Sequence, residues 1–144
     1  MSTNIDSSKT WYLCGPMSGR PHFNIPFFDA VAARMRADGF RVISPGELDS
    51  EEIREAALAS PDGAPLNAKY GTWGDFLSRD VKIVADITDG LILLPGWFHS
   101  RGGRLEVFTA LLSHKLFGVY DEFTEYVIAH SSEWVRHVLS QHML

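Results

Sequence analysis

Apolar positions along the chain follow two periods. Short unbroken apolar runs, Trp11 to Cys14 and Leu91 to Leu94, have the character of strands buried on both faces, and Phe40 to Ile43 and Phe117 to Tyr120 read as two further short strands. Between them apolar residues recur at three- and four-residue spacing. Phe27, Phe28, Val31 and Met35 predict a helix from Phe27 to Ala37, with Pro26 at its first position and Gly39 closing it. Asp49 followed by Glu52 reads as a capping-box start for a short helix from Glu51 to Leu58. Leu77, Val81 and Val84, flanked by Phe76, Ile83 and Ile87, predict a helix from Asp75 to Ile87. Leu105, Phe108, Thr109 and Leu112 predict another from Gly102 to Lys115, and a last amphipathic helix covers Ser132 to Met143. Ser60 to Gly74 is rich in Pro, Gly, Asn and Ala and reads as a long loop, of a length that in compact domains often forms a lid.

Alternating strands and helices predict an α/β fold, an open parallel sheet covered by helices on both faces. Ligands of such sheets bind beyond the carboxyl ends of the strands, where the strand order reverses. The turns Gly15 to Gly19 and Pro95 to Arg104 leave the first and third major strands, so both should face that edge. The 144 residues suit a single domain, residues 11–144, after a polar tail over residues 1–10.

Composition narrows the partners. A net charge of −5 argues against coating a nucleic-acid polymer, although local dipoles and hydroxyls can still hold a small anion. The single cysteine, Cys14, forms no intramolecular disulfide, which suits a reducing cytoplasm. The polar start has no basic segment leading into an apolar one, and no apolar run is long enough for a bilayer, so no membrane role is expected. Histidines without paired spacing and one cysteine give no metal signature, and no metal or cofactor is expected.

Three segments carry candidate chemistry. Ser100-Arg101-Gly102-Gly103-Arg104-Leu105-Glu106 leads from a strand through two glycines into a helix, whose first N–H groups can meet an anion. Glu106 would stand in the first helical turn, where a glutamate is also favoured simply by the helix dipole. Asp80, in Ser78-Arg79-Asp80, sits at the edge of an apolar helix face, where pairing with Arg79 or Lys82 is the plain alternative. Gly15-Pro16-Met17-Ser18-Gly19 lacks both the dinucleotide fingerprint and the lysine-bearing phosphate loop. Tyr12 reads as a core aromatic with a wet hydroxyl. Without a nucleophile-elbow serine or an activated thiol, the carboxylates are the groups left for chemistry.

Tyr12-Leu13-Cys14-Gly15-Pro16-Met17-Ser18-Gly19, Phe23-Asn24, Arg79-Asp80, Asp89-Gly90, Leu93-Leu94-Pro95-Gly96-Trp97, Ser100, Glu106 and Ala110 follow one another in a familiar order. From about Tyr12 to about Tyr120 the chain resembles the nucleoside 2-deoxyribosyltransferase-like superfamily, and more distantly the 2′-deoxynucleoside 5′-phosphate N-hydrolases. The resemblance implies a flavodoxin- or Rossmann-like open parallel sheet, a glutamate nucleophile at Glu106, an aspartate near the leaving base or sugar at Asp80, and the first-strand tyrosine at Tyr12. It also implies substrate contacts from Gly15, Pro16, Met17, Ser18, Asn24, Gly96, Trp97, Ser100, Gly102 and Gly103, with Ser100 on a phosphate. Ser18 stands where the hydrolases carry a phosphate-meeting arginine. The implied reaction is cleavage of the N-glycosidic bond of a 2′-deoxynucleoside 5′-monophosphate by water. A base-exchanging transferase is the alternative, and a non-catalytic nucleotide sensor is an alternative of another class. Relatives complete their sites with a neighbouring subunit, and the last helix offers Trp134, Val135, Val138, Leu139 and Met143, so a homodimer or larger homo-oligomer is expected.

Overall fold

The structure, a computed structural model, describes residues 4–143. A five-stranded sheet contains β1 (Thr10–Cys14), β2 (Arg41–Ile43), β3 (Gly90–Leu93), β4 (Leu116–Tyr120) and β5 (Val127–His130), in the order β2-β1-β3-β4-β5. The first four strands are parallel, and β5 runs antiparallel to β4. The helices are α1 (Ile25–Ala37), α2 (Glu51–Ala59), α3 (Trp73–Asp86), α4 (Arg101–Leu112) and α5 (Ser132–Ser140). This is an α/β fold with the flavodoxin-like strand order, and its direction reverses between β1 and β3.

Period-two alternation decides which side of the sheet each residue serves. Trp11 and Leu13 of β1 and Ile92 of β3 pack with Phe28, Val31 and Met35 of α1. Tyr12, Cys14, Leu91 and Leu93 face the other way, toward Val84 of α3, Val107 and Ala110 of α4, and Val135 and Leu139 of α5. That alternation places Tyr12 and Cys14 beneath α4. At the reversal the strand ends nearly touch: a Cβ on Gly15 would lie 2.9 Å from the Leu94 Cβ, so the turn after β1 has no room for a side chain there.

Several boundaries and faces differ from the sequence expectations. The cap of α2 is Ser50, whose Oγ accepts the Ile53 N–H, rather than Asp49. Helix α3 starts two residues early because Thr72 and Asp75 form a reciprocal capping box. Ala68–Tyr70 adds a 3-10 turn inside the expected loop. Ile87 is exposed, and Leu105, Phe108 and Leu112 point outward from α4. The final helix ends at Ser140 and commits Val135 and Leu139 to its own core, so those two residues give no argument for a second subunit. Nor are residues 4–9 a loose tail. Ile5 is buried with the α1-side core, and Asn4 Oδ1 accepts the Ala129 N–H. Residues 1–3 of the expected tail lie outside the described residues. Among the described residues no helix is long and apolar enough to cross a membrane.

Candidate functional site

Glu106 enters the site through the register of α4. Ser100 caps this helix, its Oγ accepting the Gly103 N–H at 3.0 Å. Gly103 fits because a Cβ there would lie 2.9 Å from the Trp97 carbonyl. The inward face of the helix is Gly103, Glu106, Val107 and Ala110, at spacings of three, four and seven residues. Since α4 begins at Arg101, Glu106 belongs to its second turn, and the first turn holds no acidic residue. The dipole explanation for this glutamate therefore falls away. Its side chain is buried, and the Tyr12 hydroxyl donates to its Oε2 at 2.7 Å.

An anion here is costly. Burial pushes the Glu106 carboxyl up to about 8, and the Asp80 charge pushes the same way, against hydrogen bonds from Tyr12 and Cys14 and the pull of Arg79. Burial and Glu106 also hold the Tyr12 hydroxyl and the Cys14 thiol well above their ordinary values, so both remain protonated. Cys14 donates weakly to the Gly103 carbonyl at 3.5 Å and is no thiolate nucleophile.

Asp80 comes from α3, the neighbour of α4. Arg79 Nε donates to Asp80 Oδ1 at 2.9 Å, while Arg79 Nη1 donates to Asp49 Oδ1 from the segment between β2 and α2. Burial nevertheless raises the Asp80 carboxyl, because it outweighs the Arg79 contacts. Lys82, the other expected partner, pairs with Asp86 instead.

These groups line one cleft of about 760 Å³, a size suited to a small organic ligand. Its lining includes Gly15, Met17, Ser18, Ser100, Gly102, Gly103, Asp80 and Glu106, all singled out by sequence, and Tyr12 reaches it through Glu106. Four expected contacts do not line it. Trp97 is buried in the core on the α4 side of the sheet. Gly96 takes a left-handed φ of +83°, and its α-carbon faces Pro16 and the Arg20 guanidinium. Asn24 Nδ2 donates to the Pro16 carbonyl at 3.0 Å, so these two residues brace the turn rather than face a ligand. The Gly103 N–H is also spent, on Ser100. By contrast, a Cβ on Gly102 would meet only open space, leaving the backbone there open to a ligand.

Sequence reasoning missed Asp49 and Arg79 as site residues, together with the aromatic side chains of Phe23, Trp73 and Phe76. Arg101 stacks on Trp73, its guanidinium carbon 4.8 Å from the ring centroid, joining the starts of α3 and α4. Phe23 sits in a run of three left-handed residues, His22, Phe23 and Asn24, with φ of 56°, 53° and 58°. Such backbone costs about 1–2 kcal/mol per residue and persists only where neighbours hold it. Here the His22 N–H donates to the Ser60 carbonyl at 2.8 Å, and the Gly19 N–H to the Gly63 carbonyl at 2.9 Å. The beginning of the expected lid is thus stitched to the turn after β1. Gly63 has φ +71°, and a Cβ there would come within 2.3 Å of the Arg20 carbonyl. Gly63→Ala should therefore destabilise the fold by more than about 2 kcal/mol. An unchanged urea midpoint would show that this stitch is absent in solution.

Among the described residues no group of three or more His, Cys, Asp or Glu side chains could hold a metal ion. The model of a family described as Domain of unknown function (DUF4406) matches residues 9–116. No curated protein matches the chain. The matched span runs from the start of β1 to the start of β4, and so contains Tyr12, Asp49, Arg79, Asp80, Ser100 and Glu106. The chain belongs to this family.

Proposed function

We propose, for this member of the DUF4406 family, that the cleft cleaves the N-glycosidic bond of a 2′-deoxynucleoside 5′-monophosphate, with water as final acceptor. The observation that carries the reading is a buried glutamate, fixed by a tyrosine hydroxyl at 2.7 Å, opening with a second carboxylate onto one cleft beyond the β1 and β3 ends. A buried carboxylate whose charge is penalised by its surroundings costs folding free energy, which argues for a reactive group over a passive binding module.

The chemistry follows from charge. Breaking the bond builds positive character on the sugar's anomeric carbon, and the Glu106 carboxylate stabilises it and bonds to that carbon. The departing base takes a proton, for which Asp80 is the donor. Water then attacks the anomeric carbon and gives a proton back to Asp80, releasing the sugar phosphate as its bond to Glu106 breaks. A second base attacking at that stage would make the reaction a transfer.

The phosphate belongs at the start of α4. Two features support this: the open backbone at Gly102, and the Ser100 hydroxyl, which caps with its oxygen and keeps its own hydrogen to donate. Arg101 lines the same cleft. Ser100→Ala should raise KM for a monophosphate and barely alter it for the free nucleoside. It should also cost about 1 kcal/mol of stability through the lost cap. Equal effects on both substrates would remove the phosphate from this end of the cleft. The direct test incubates purified protein with deoxynucleosides and their monophosphates, with and without an acceptor base, and follows released base by chromatography. Absence of release from every substrate would overturn the glycosidase reading.

A further inference from the structure

Asp49 and Arg79, which hold Asp80, have no part in the reaction as written. Arg79 spends its fork on two carboxylates from different elements and adds a long contact to the Pro45 carbonyl at 3.4 Å. Its guanidinium also lies over the Phe76 ring, 5.6 Å from the centroid, so it is fixed on several sides. Glu106 makes no ion pair among the described residues; its close partners are the neutral Tyr12 hydroxyl and Cys14 thiol of β1. The two candidate catalytic carboxylates thus share one cleft, and only one of them holds a cation.

We propose that Arg79, pinned by Asp49, is a positioning residue that keeps Asp80 as the anion of the empty site and leaves the pair's last proton on Glu106. This deepens the glycosidase reading and rests on it for its catalytic meaning. The resting arrangement is then the reverse of the reactive one, in which Glu106 must be ionised and Asp80 must carry the proton. Tyr12 hydrogen-bonds Glu106 at 2.7 Å, and the Asp80 charge acts on the same hydroxyl. Reaching the reactive form moves one proton from Glu106 to Asp80, with no net gain or loss of protons. Arg79 must release Asp80 for that to happen and can keep Asp49 as its partner. The nucleophile therefore stays masked until substrate displaces the pairing.

The groups facing Asp80 are Arg79 on its own helix, Asp49 from the β2–α2 segment, Tyr12 from β1 and Glu106 from α4. Those facing Glu106 are Tyr12 and Cys14 from β1, and Asp80 and Arg79 from α3. Removing Arg79 therefore acts first on Asp80 and secondarily on Glu106. In pair titrations the macroscopic steps belong to both groups, so a residue-resolved measurement is required.

Carboxyl carbon shifts of ligand-free protein, followed by NMR from pH 4 to pH 10, supply it without any substrate. Unmutated protein should show Asp80 ionising first and Glu106 last. Arg79→Met should move the Asp80 step up by one unit or more and bring the two together or invert them. Arg79→Lys should restore most of the order, and Asp49→Asn, which loosens the arginine without removing it, should give a smaller shift in the same direction. Asp80 ionising after Glu106 in the unmutated protein would overturn the proposal. So would an unmoved Asp80 step in folded Arg79→Met or, should that variant not fold, in folded Asp49→Asn. Failure of base release with the expected NMR order would sink the glycosidase reading and leave the proton order intact.

Discussion

Glu106→Gln should lose base release by several orders of magnitude and yet melt at a higher temperature than the unmutated protein. The first effect follows from removing the group that bonds to the anomeric carbon, which an amide cannot replace. The second follows from the cost of its charge. In an unfolded chain this carboxyl ionises near its ordinary value of 4.5, whereas burial holds it up to about 8 in the fold. Between those values the unfolded state has already released the proton that the folded state retains. Stability therefore falls as pH rises from 4.5 to 8, and is flat in this respect outside that window. The full loss is on the order of 5 kcal/mol. Glutamine keeps an oxygen to accept the Tyr12 hydroxyl and never ionises. The variant should match the unmutated protein near pH 4 and exceed it increasingly up to pH 8. Thermal melts of both proteins across this range test the idea, and a constant difference in melting temperature would refute the linkage.

Such a trade of stability for chemistry is what marks a functional residue in a sequence. The sequence pointed to Glu106, but on a partly mistaken local picture. The sequence suggested a helix opening with Gly102 and Gly103, with the glutamate in a first turn where the dipole could explain it. The serine cap starts the helix at Arg101 instead, which puts Glu106 in the second turn, on the inward face with Val107 and Ala110. The visible apolar stripe, Leu105, Phe108 and Leu112, lies outward. Periodicity finds a helix, but it cannot choose the face when both sides carry apolar residues.

The fully apolar strands were legible because burial on both faces leaves no polar alternation to confuse them. Strand β5 escaped because Val127 is its one fully buried residue, while Ile128 and Ala129 are exposed. The resemblance put Trp97 among the ligand contacts, yet the 3-10 turn Trp97–His99 turns it into the core. Asp49 could not be read as a partner of Arg79 at all. Their pairing spans thirty positions and depends on the end of β2 and the side of α3 meeting at the cleft. Local spacing carries no information about such contacts.

Asp80→Asn should slow release of a natural base by about 10²–10⁴-fold, the usual worth of a placed proton donor. It should leave substrate affinity much less changed, since the donor acts as the bond breaks. A base that departs without protonation, such as a 7-methylated purine already carrying positive charge, should be cleaved by the variant almost as well as by the unmutated protein. The pH profile gives an independent sign. With both carboxylates present, the reactive form holds one proton between them, so kcat/KM should fall as pH rises through about 8, where that proton is lost. In Asp80→Asn the only requirement left on the pair is an ionised Glu106, so the residual rate should instead rise with pH to a plateau. The plateau should begin below 8, because removing the Asp80 charge eases ionisation of its neighbour. If the activated substrate suffers as badly as the natural one, or if the alkaline fall persists in the variant, Asp80 is not the acid.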